Sequence, residues 1–284
     1  MAAKTVPAVP VRASRPGEAV PPPDDADLEH ARATDPDGAF VAQDAEGRVV
    51  GTARAAVRED TLLLLDLDVG AAHRGKGVGG TLLAAARAYG AVRGARFLEV
   101  LAPDEPSALA FFFRAGLSLR ALVLGMEAEA SGDPEAPARG APLSPVAPGA
   151  SLSGWIAALD RETRGFARPR DWGRRAADGH LVSLKRGGRL VAVGAWHEEA
   201  RVEANMTALG PIAAKTPEAA ADLLPLLAAR SSGNRLSLAL PEESRTLLLA
   251  AGALGFRAVT TRVLLTNRRR GDLRRYAGGG GRFF

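Results

Sequence analysis

The sequence contains no cysteine, few aromatic residues and no long apolar segment. Without cysteine the chain has no disulfide, no thiol nucleophile and no cysteine metal site. The apolar runs, such as the TLLLL that Asp66 ends, are far shorter than the roughly 20 residues that span a bilayer. The Pro-rich start lacks the apolar core of a signal peptide. We therefore expect a cytoplasmic protein with no membrane partner and no metal.

Length and composition predict a globular protein. The 284 residues are 46% hydrophobic and 24% charged, which suits two domains. The net charge is +5, and much of the excess lies in NRRRGDLRR near the C-terminus. Because no aromatic residues are interleaved with these arginines, we predict a solvated basic tail and no nucleic-acid partner.

Hydrophobic periodicity predicts an α+β fold. Two alternating apolar segments joined at Glu46-Gly47 indicate a hairpin, and TLLLLDLDV predicts a third strand. A glycine-rich loop and an amphipathic helix follow, and then a strand, a short helix and a last strand. The helices come only after a run of antiparallel strands, which favours α+β over a parallel α/β fold.

The strand–helix–strand pattern at 97–126 recurs at 235–265. In both segments a strand ends in Pro, acidic residues follow, and the helix ends at Gly plus an apolar residue. The shared order indicates two copies of one fold.

The segment VGAAHRGKGVGGT, residues 69–81, fits three phosphate-binding patterns. A P-loop would need Ser or Thr after Lys76, where Gly77 stands. A dinucleotide fingerprint would need its first glycine directly after the strand, and its acidic residue, here Glu99, at a strand end. The third pattern, Arg74-x-x-Gly77-x-Gly79, has every part in place. In all three, a glycine turn presents main-chain N–H groups at a helix N-terminus.

This third pattern resembles the V-x-P-x-x-R-x-x-G-x-G segment of the GNAT superfamily of acetyltransferases. The resemblance covers roughly residues 38–126 and implies acetyl-CoA as co-substrate, with its pyrophosphate in the loop. It further implies that Leu67 and Val69 pair with pantetheine through the main chain. The implied coenzyme-binding residues are Leu67, Val69, Arg74, Gly75, Lys76, Gly77, Val78, Gly79, Gly80 and Phe112.

With two copies, the resemblance implies tandem GNAT-like domains, each a mixed, mostly antiparallel sheet flanked by helices. We predict five segments: a Pro-rich arm or strand (1–23), a GNAT domain with the acetyl-CoA loop (24–127), a linker (128–150), a degenerate GNAT-like domain (151–266) and a basic, Gly-rich tail (267–284).

Asp66 and Asp68 are the candidate general bases. An alkylammonium acceptor of pKa about 10.4 must lose a proton, which costs roughly 4–5 kcal/mol at pH 7. The two carboxylates are two residues apart on the strand before the loop, so they share one face. We favour Asp68, which is nearer to the loop, or else Asp66 as the base, directly or through water; the alternative is that both pair with arginines and hold the sheet. With Asp104 and Glu105 nearby, they favour a cationic amine as acceptor.

The sequence departs from the family pattern where a tyrosine commonly gives a proton to the leaving thiolate. Phe112 stands there, Glu105 replaces a frequent Asn, and Leu117 replaces the aromatic residue after Gly116. Releasing a thiolate of pKa about 8.5 unassisted costs only about 2 kcal/mol, so the loss predicts slower turnover rather than lost binding.

The second copy lacks a glycine loop. We match Leu209 to Val69, and Thr216-Pro217 after it indicates an ordinary helix start. We therefore predict that this copy binds no coenzyme A, and that Asp160, Arg164, Phe166 and Arg168 either line an acceptor pocket or are structural. We therefore predict an acetyl-CoA-dependent N-acetyltransferase that acts on an amine of a small molecule or a protein. The alternatives are a non-catalytic acetyl-CoA sensor and a structural protein with two inactive copies. The sequence leaves the acceptor and the oligomeric state open.

Overall fold

The structure is a computed structural model that describes residues 9–14, 26–130, 143–145, 150–201, 204–230 and 235–279. Most of the predicted arm and most of the predicted linker lie outside these residues. The described part of the arm includes a strand that pairs with the predicted hairpin.

The described residues form seven α-helices and thirteen strands. The helices are α1 (Ala26–Thr34), α2 (Val78–Val92), α3 (Pro106–Arg114), α4 (Ala150–Arg164), α5 (Pro169–Ala177), α6 (Pro217–Ala228) and α7 (Arg245–Ala253). The strands are β1 (Val11–Ala13), β2 (Ala39–Gln43), β3 (Val49–Arg58), β4 (Thr61–Val69), β5 (Phe97–Pro103), β6 (Ser118–Glu129), β7 (Leu143–Pro145), β8 (Leu181–Arg186), β9 (Arg189–Arg201), β10 (Ala204–Ala214), β11 (Arg235–Pro241), β12 (Arg257–Thr266) and β13 (Tyr276–Ala277). The α+β class and the mostly antiparallel sheets predicted from the sequence are confirmed.

The chain forms two compact units, and neither is continuous in sequence. The first unit comprises Met1–Leu101, Ala110–Ser118 and Thr266–Arg268, and the second comprises Ala102–Leu109, Leu119–Leu265 and Arg269–Phe284. A short segment from the end of β12 thus belongs to the first unit. There the Thr266 hydroxyl donates to the Leu98 carbonyl (3.1 Å), and the Leu98 N–H donates to Asn267 Oδ1 (2.9 Å). The domain boundaries drawn from the sequence stay predictions.

In the first unit, the strands lie in the order β1-β2-β3-β4-β5. Neighbours are antiparallel except β4 and β5, which are parallel. Helix α2 packs on β3 and β4. Its predicted apolar face is confirmed, since Leu82, Leu83, Ala86 and Tyr89 are buried at helical spacing.

A buried polar cluster ties the hairpin to α2. Asp35 accepts hydrogen bonds from Arg58 (2.6 Å), the Val57 N–H (2.9 Å) and the Tyr89 hydroxyl (2.9 Å). Burial by itself would raise the pKa of Asp35, but these hydrogen bonds and the Arg58 charge lower it below its ordinary value. The carboxylate is therefore ionised and structural.

In the second unit, the strands lie in the order β12-β6-β11-β10-β9-β8-β7. Strand β10 is parallel to β11 and antiparallel to β9, so the parallel pair of the first unit is repeated. Leucines of α6 and α7 pack against apolar residues of β10 and β11 in the main core of this unit. Two copies of one architecture are thus present.

The segment 159–172, a candidate pocket wall, is built around a buried ion pair. Asp160 and Arg168 are 0% and 1% exposed, and Asp160 accepts from the Arg168 N–H (2.8 Å) and from Nη2 (2.8 Å). Burial opposes the charge of Arg168, but the Asp160 carboxylate raises its pKa above the ordinary value. Asp160 and Arg168 therefore have the structural role that was one of their two predicted alternatives.

The described part of the basic tail is solvated at Arg268, Arg269 and Arg274, which are exposed, but the tail also binds to the fold. Arg269 donates to the Leu119 carbonyl (3.0 Å), and Arg275 donates to the Lys215 carbonyl (2.8 Å). Tyr276 has no exposed surface. The arginines contact main-chain carbonyls of the fold, which local charge density does not indicate.

Among the described residues, no helix is both long enough and apolar enough to cross a membrane.

Candidate active site

The candidate site begins where β4 leaves the sheet. Opposite β3, Asp66 faces Arg54 and Leu64 faces Ala55, so Leu65 is an extra residue in β4. Such a bulge bends a strand and redirects its side chains. The parallel ladder with β5 ends at Leu64, directly before the bulge. Among the described residues, the edge of β4 at 67–69 therefore has no ladder partner on β5.

The glycine turn connects β4 to α2. A 3-10 turn at Ala71–His73 follows the strand, and the Gly70 N–H donates to the Val50 carbonyl (3.0 Å). Gly75 and Gly77 have φ values of +74° and +84°, in the left-handed region that side chains with a Cβ rarely adopt. These glycines let the backbone reverse and enter α2.

The main-chain N–H groups of the turn lack hydrogen-bond acceptors. Within the described residues, none accepts a hydrogen bond of normal geometry from the six N–H groups of 75–80. The first N–H with an acceptor belongs to Thr81, which donates to the Gly77 carbonyl (3.1 Å). A Cβ placed on Gly75, Gly77 or Gly80 would meet no atom within 4 Å. The turn is thus an open cradle at the positive end of a 15-residue helix, which fits a phosphate group.

Arg74 fixes the geometry of the turn. Its Nε donates to the Val69 carbonyl (2.9 Å), and its Nη2 lies 3.9 Å from Asp68 Oδ1. Arg74 and Asp68 are both largely exposed, at 69% and 71% of their side-chain surface. Lys76 is exposed beside them. Two exposed cationic residues thus flank Gly75 in the sequence of the turn.

An apolar wall borders the first turn of α2. A Cβ on Gly79 would lie 3.4 Å from the Phe111 ring and 3.7 Å from the Leu67 side chain. Phe112, the predicted contact, is only 5% exposed, and its ring packs edge-on to Phe111 at 5.0 Å. Sequence reasoning missed Phe111, and the only available signal was the run of three phenylalanines in α3.

The two candidate bases have different surroundings. Asp66 is half-buried opposite Arg54, which is 3% exposed and donates to the Leu28 carbonyl in α1 (3.4 Å). Asp68, opposite Thr52, is exposed. The ladder places both on the predicted common face, with Leu67 on the face of α2.

Glu99, the acid of the dinucleotide alternative, lies opposite Leu63 in the middle of β5. It is 8% exposed. A ribose-binding acid lies at a strand end, so this position disfavours that pattern. Among the described residues there is also no group of three or more His, Cys, Asp or Glu that would hold a metal ion.

The second unit makes the same connection differently. Strand β10 continues to Ala214, so the match of Leu209 to Val69 as the last strand residue is wrong. Only Lys215 and Thr216 separate β10 from α6, against eight residues between β4 and α2. The Thr216 side chain accepts from the Ala219 N–H (3.2 Å) and caps the helix.

Comparison with known proteins agrees with this architecture. The profile described as Acetyltransferase (GNAT) family matches residues 10–117, and the profile described as Acetyltransferase (GNAT) domain matches residues 156–275. No curated protein sequence matches the chain significantly.

Three solved structures are similar over most of the chain. A protein of Pyrococcus horikoshii, provisionally assigned as an acetyltransferase, is 17% identical, with a TM-score of 0.67 and coverage of 88% of this chain and 81% of that one. A GCN5-related N-acetyltransferase from Sphaerobacter thermophilus is 16% identical (TM-score 0.58, coverage 83% and 82%). A tandem GNAT protein from the clavulanic acid biosynthesis pathway is 18% identical (TM-score 0.52, coverage 80% and 81%). At these identities the likeness shows the fold, and together with the two matched profiles it establishes that the chain belongs to the GNAT acetyltransferase family and carries two GNAT domains in tandem.

Proposed function

We propose that the first unit binds acetyl-CoA at the turn 75–80 and transfers its acetyl group to the amine of a small molecule or a protein. The observation that carries this proposal is the row of N–H groups without acceptors at the start of α2. Membership of an acetyltransferase family supports the reaction class. The donor, the amine acceptor and a cytoplasmic location, which the lack of cysteine favours, are our proposals.

The residues around the turn suit a coenzyme with a pyrophosphate and an extended arm. The N–H groups of 75–80 are oriented donors for phosphate oxygens, and Arg74 and Lys76 add positive charge. Main-chain groups of Leu67 and Val69 lie on a strand edge that has no ladder partner on β5 in the described chain. Phe111 and Leu67 supply apolar surface beside the cradle.

Asp66 and Asp68 are the proposed bases, and their surroundings rank them. Asp66 is half-buried and lies opposite Arg54, which donates to α1, whereas Asp68 is exposed. Asp68 is paired at long range with Arg74, which already has a role in shaping the turn. We therefore propose that Asp66 accepts the proton and that the carboxylates of Asp66 and Asp68 both attract a cationic acceptor.

Ligand-induced stabilisation is the first test. Acetyl-CoA at one hundred times its dissociation constant stabilises the folded state by about 2.7 kcal/mol and raises the melting temperature accordingly. We expect that ATP and NAD at the same concentration do not raise the melting temperature. That result argues against the P-loop and the dinucleotide pattern. If neither acetyl-CoA nor free coenzyme A shifts melting, the proposal fails and only a structural role remains.

The role of the carboxylates is tested by thiol release from acetyl-CoA in the presence of an amine library. We expect Asp66→Asn to lower kcat by 100-fold or more, within the range for loss of a general base, with KM for acetyl-CoA unchanged. Asp68→Asn changes mainly the acceptor KM. Glu46→Gln, in the exposed β2–β3 turn, is the matched charge control. Unchanged kcat in both aspartate variants contradicts their role as bases.

A second candidate function is a non-catalytic acetyl-CoA sensor. Phe112, where the family commonly has a tyrosine, favours it because this side chain has no proton to donate. For a sensor, acetyl-CoA raises the melting temperature while no amine of the library is acetylated.

A further inference from the structure

The second unit contains the counterpart of the β4 edge. Its parallel ladder runs from Met206 opposite Arg235 to Ala208 opposite Ser237. Directly after it, between Leu209 and Ile212, the register with β9 shifts. Strand β10 thus leaves β11 at a bulge, as β4 leaves β5 at Leu65, and opens a cleft between the two strands.

The C-terminal segment of the chain occupies this cleft. Strand β13 pairs antiparallel with β10, with Ala277 opposite Ile212 and Tyr276 opposite Ala213. The next residue, Gly278, bonds to β11, since the Ala239 N–H donates to its carbonyl (3.2 Å) and its own N–H donates to the Ala239 carbonyl (2.8 Å). The segment therefore bridges both strands and uses their main-chain groups.

Side-chain and backbone contacts hold the segment in place. Tyr276 and Ala277 have no exposed surface. The hydroxyl of the buried Ser244 bonds to the carbonyl of Tyr276 (3.1 Å). Gly279 passes so close to Gly210 that a Cβ on Gly279 would lie 2.7 Å from the Gly210 carbonyl oxygen. Such a fit leaves no room for a second extended chain.

We propose that Tyr276–Gly278 is a built-in plug that closes the cleft of the second unit to extended, amide-bearing ligands. A strand edge binds one extended partner at a time, whether that partner is a peptide or the amide arm of a coenzyme. In the second unit the chain itself is this partner, and in the first unit the described residues contain no such segment. The chain consequently has one cleft available for ligand rather than two. The number of clefts available for ligand rests on the proposed function of the first unit, whereas the plug does not.

Hydrogen exchange of the full-length protein tests the plug directly. The amides of Ala239 and Gly278 are expected to exchange as slowly as those of the sheet core. Gly279→Ala forces the segment away from Gly210 and speeds exchange at both amides at least 10-fold. Gly252→Ala, in α7 where a Cβ meets no atom within 4 Å, leaves both rates unchanged. Exchange at the two wild-type amides as fast as in exposed loops overturns the plug, whichever way the variants behave.

Calorimetric titration with acetyl-CoA tests the site count. The wild type takes up one equivalent, and Gly77→Val, which distorts the turn of the first unit, binds acetyl-CoA about 100-fold more weakly. A second equivalent in the wild type, or uptake that persists in Gly77→Val and speeds exchange at Ala239, overturns the closed cleft. No uptake by the wild type overturns the proposed function of the first unit instead, and the exchange rates alone then decide the plug.

Discussion

The two units share a parallel strand pair that parts at a bulge, yet they connect it to the next helix in different ways. In the first unit, eight residues rich in glycine separate β4 from α2 and expose N–H groups without acceptors. In the second, two residues suffice, and Thr216 caps α6. A cap satisfies the same orphan donors that an anion would. The difference teaches that one fold provides either open N–H groups that fit an anion or a capped structural end, according to the connection.

The cleft between the parallel strands is likewise open in the first unit and closed in the second. The edge of β4 at 67–69 has no ladder partner on β5 in the described chain, whereas β10 and β11 share β13 and Gly278. The second unit also carries the fully buried pair of Asp160 and Arg168 in a segment that sequence reasoning considered for a pocket wall. We therefore regard the second unit as structural, and the following predictions test the contrast.

The largest expected effect is on stability, from Asp160→Ala. The change leaves the Arg168 guanidinium buried without its carboxylate, which costs about 3–5 kcal/mol of unfolding free energy in a denaturant titration. Asp178→Ala, at the exposed end of α5, changes it by less than about 0.5 kcal/mol. A stable Asp160→Ala protein with altered acceptor kinetics would instead make this segment a pocket wall.

Next comes Gly77→Val, which tests the open turn. Loss of about two hydrogen bonds to charged phosphate, at roughly 1.5 kcal/mol each, weakens acetyl-CoA binding about 100-fold by calorimetry. Gly47→Val is the matched control, because Gly47 also has a positive φ (+79°) and open surroundings but lies in the β2–β3 turn. Equal affinity in the two variants would contradict the cradle.

A pH effect distinguishes a structural histidine from a functional one in the second unit. Burial, with the charges of Arg175 and Arg174, lowers the pKa of His197 to about 3. Its Nδ1 is buried without a hydrogen-bond partner among the described residues. In the unfolded chain the pKa of His197 is about 6.5, so below this pH the unfolded chain binds a proton that the folded chain does not bind. The free energy of unfolding therefore falls as the pH drops from 6.5 towards 3.

His197→Gln is expected to flatten this fall by up to about 1.4 kcal/mol per pH unit, measured by urea titrations between pH 7.5 and 4.5. Met206→Leu, at a buried position of the strand that pairs with that of His197 and without a titrating group, keeps the wild-type slope. An unaltered slope in His197→Gln would show that this imidazole is free to ionise in the folded protein.

The smallest expected effect is that of Thr216→Ala. Removing the cap costs about 1 kcal/mol of stability and leaves acetyl-CoA affinity unchanged. Thr216→Asp, which restores a capping oxygen, recovers the loss. If Thr216→Ala instead gains a second binding event for acetyl-CoA, the two connections are less different than their geometry indicates.

Local signals predicted most of the first unit. Hydrophobic periodicity and turn residues predicted the β2–β3 hairpin, β4 and the apolar face of α2. The glycine pattern predicted where main-chain N–H groups would be available at the start of the helix. The bulge at Leu65 and the contact of Phe111 with the turn were not predictable. Both depend on how elements meet in space, and the continuous leucine run at 62–65 has no alternation in which an extra residue would show.

The second unit shows where such reasoning fails. Matching Leu209 to Val69, the last residue of β4, placed the end of the strand at Leu209, but β10 passes through the bulge and continues to Ala214. The arginine run suggested a solvated tail because charge density is a local property. Two of its residues, Arg269 and Arg275, donate to carbonyls far away in the sequence.

The sequence by itself determined that the chain has two copies of an α+β fold and that one copy has a glycine turn before its helix. Periodicity and the special backbone freedom of glycine act within a few residues, so a sequence displays them directly. Only the tertiary structure decided which N–H groups lack acceptors and which cleft is filled by Tyr276–Gly278. Those outcomes depend on pairing between distant segments, whose free energy no local pattern encodes.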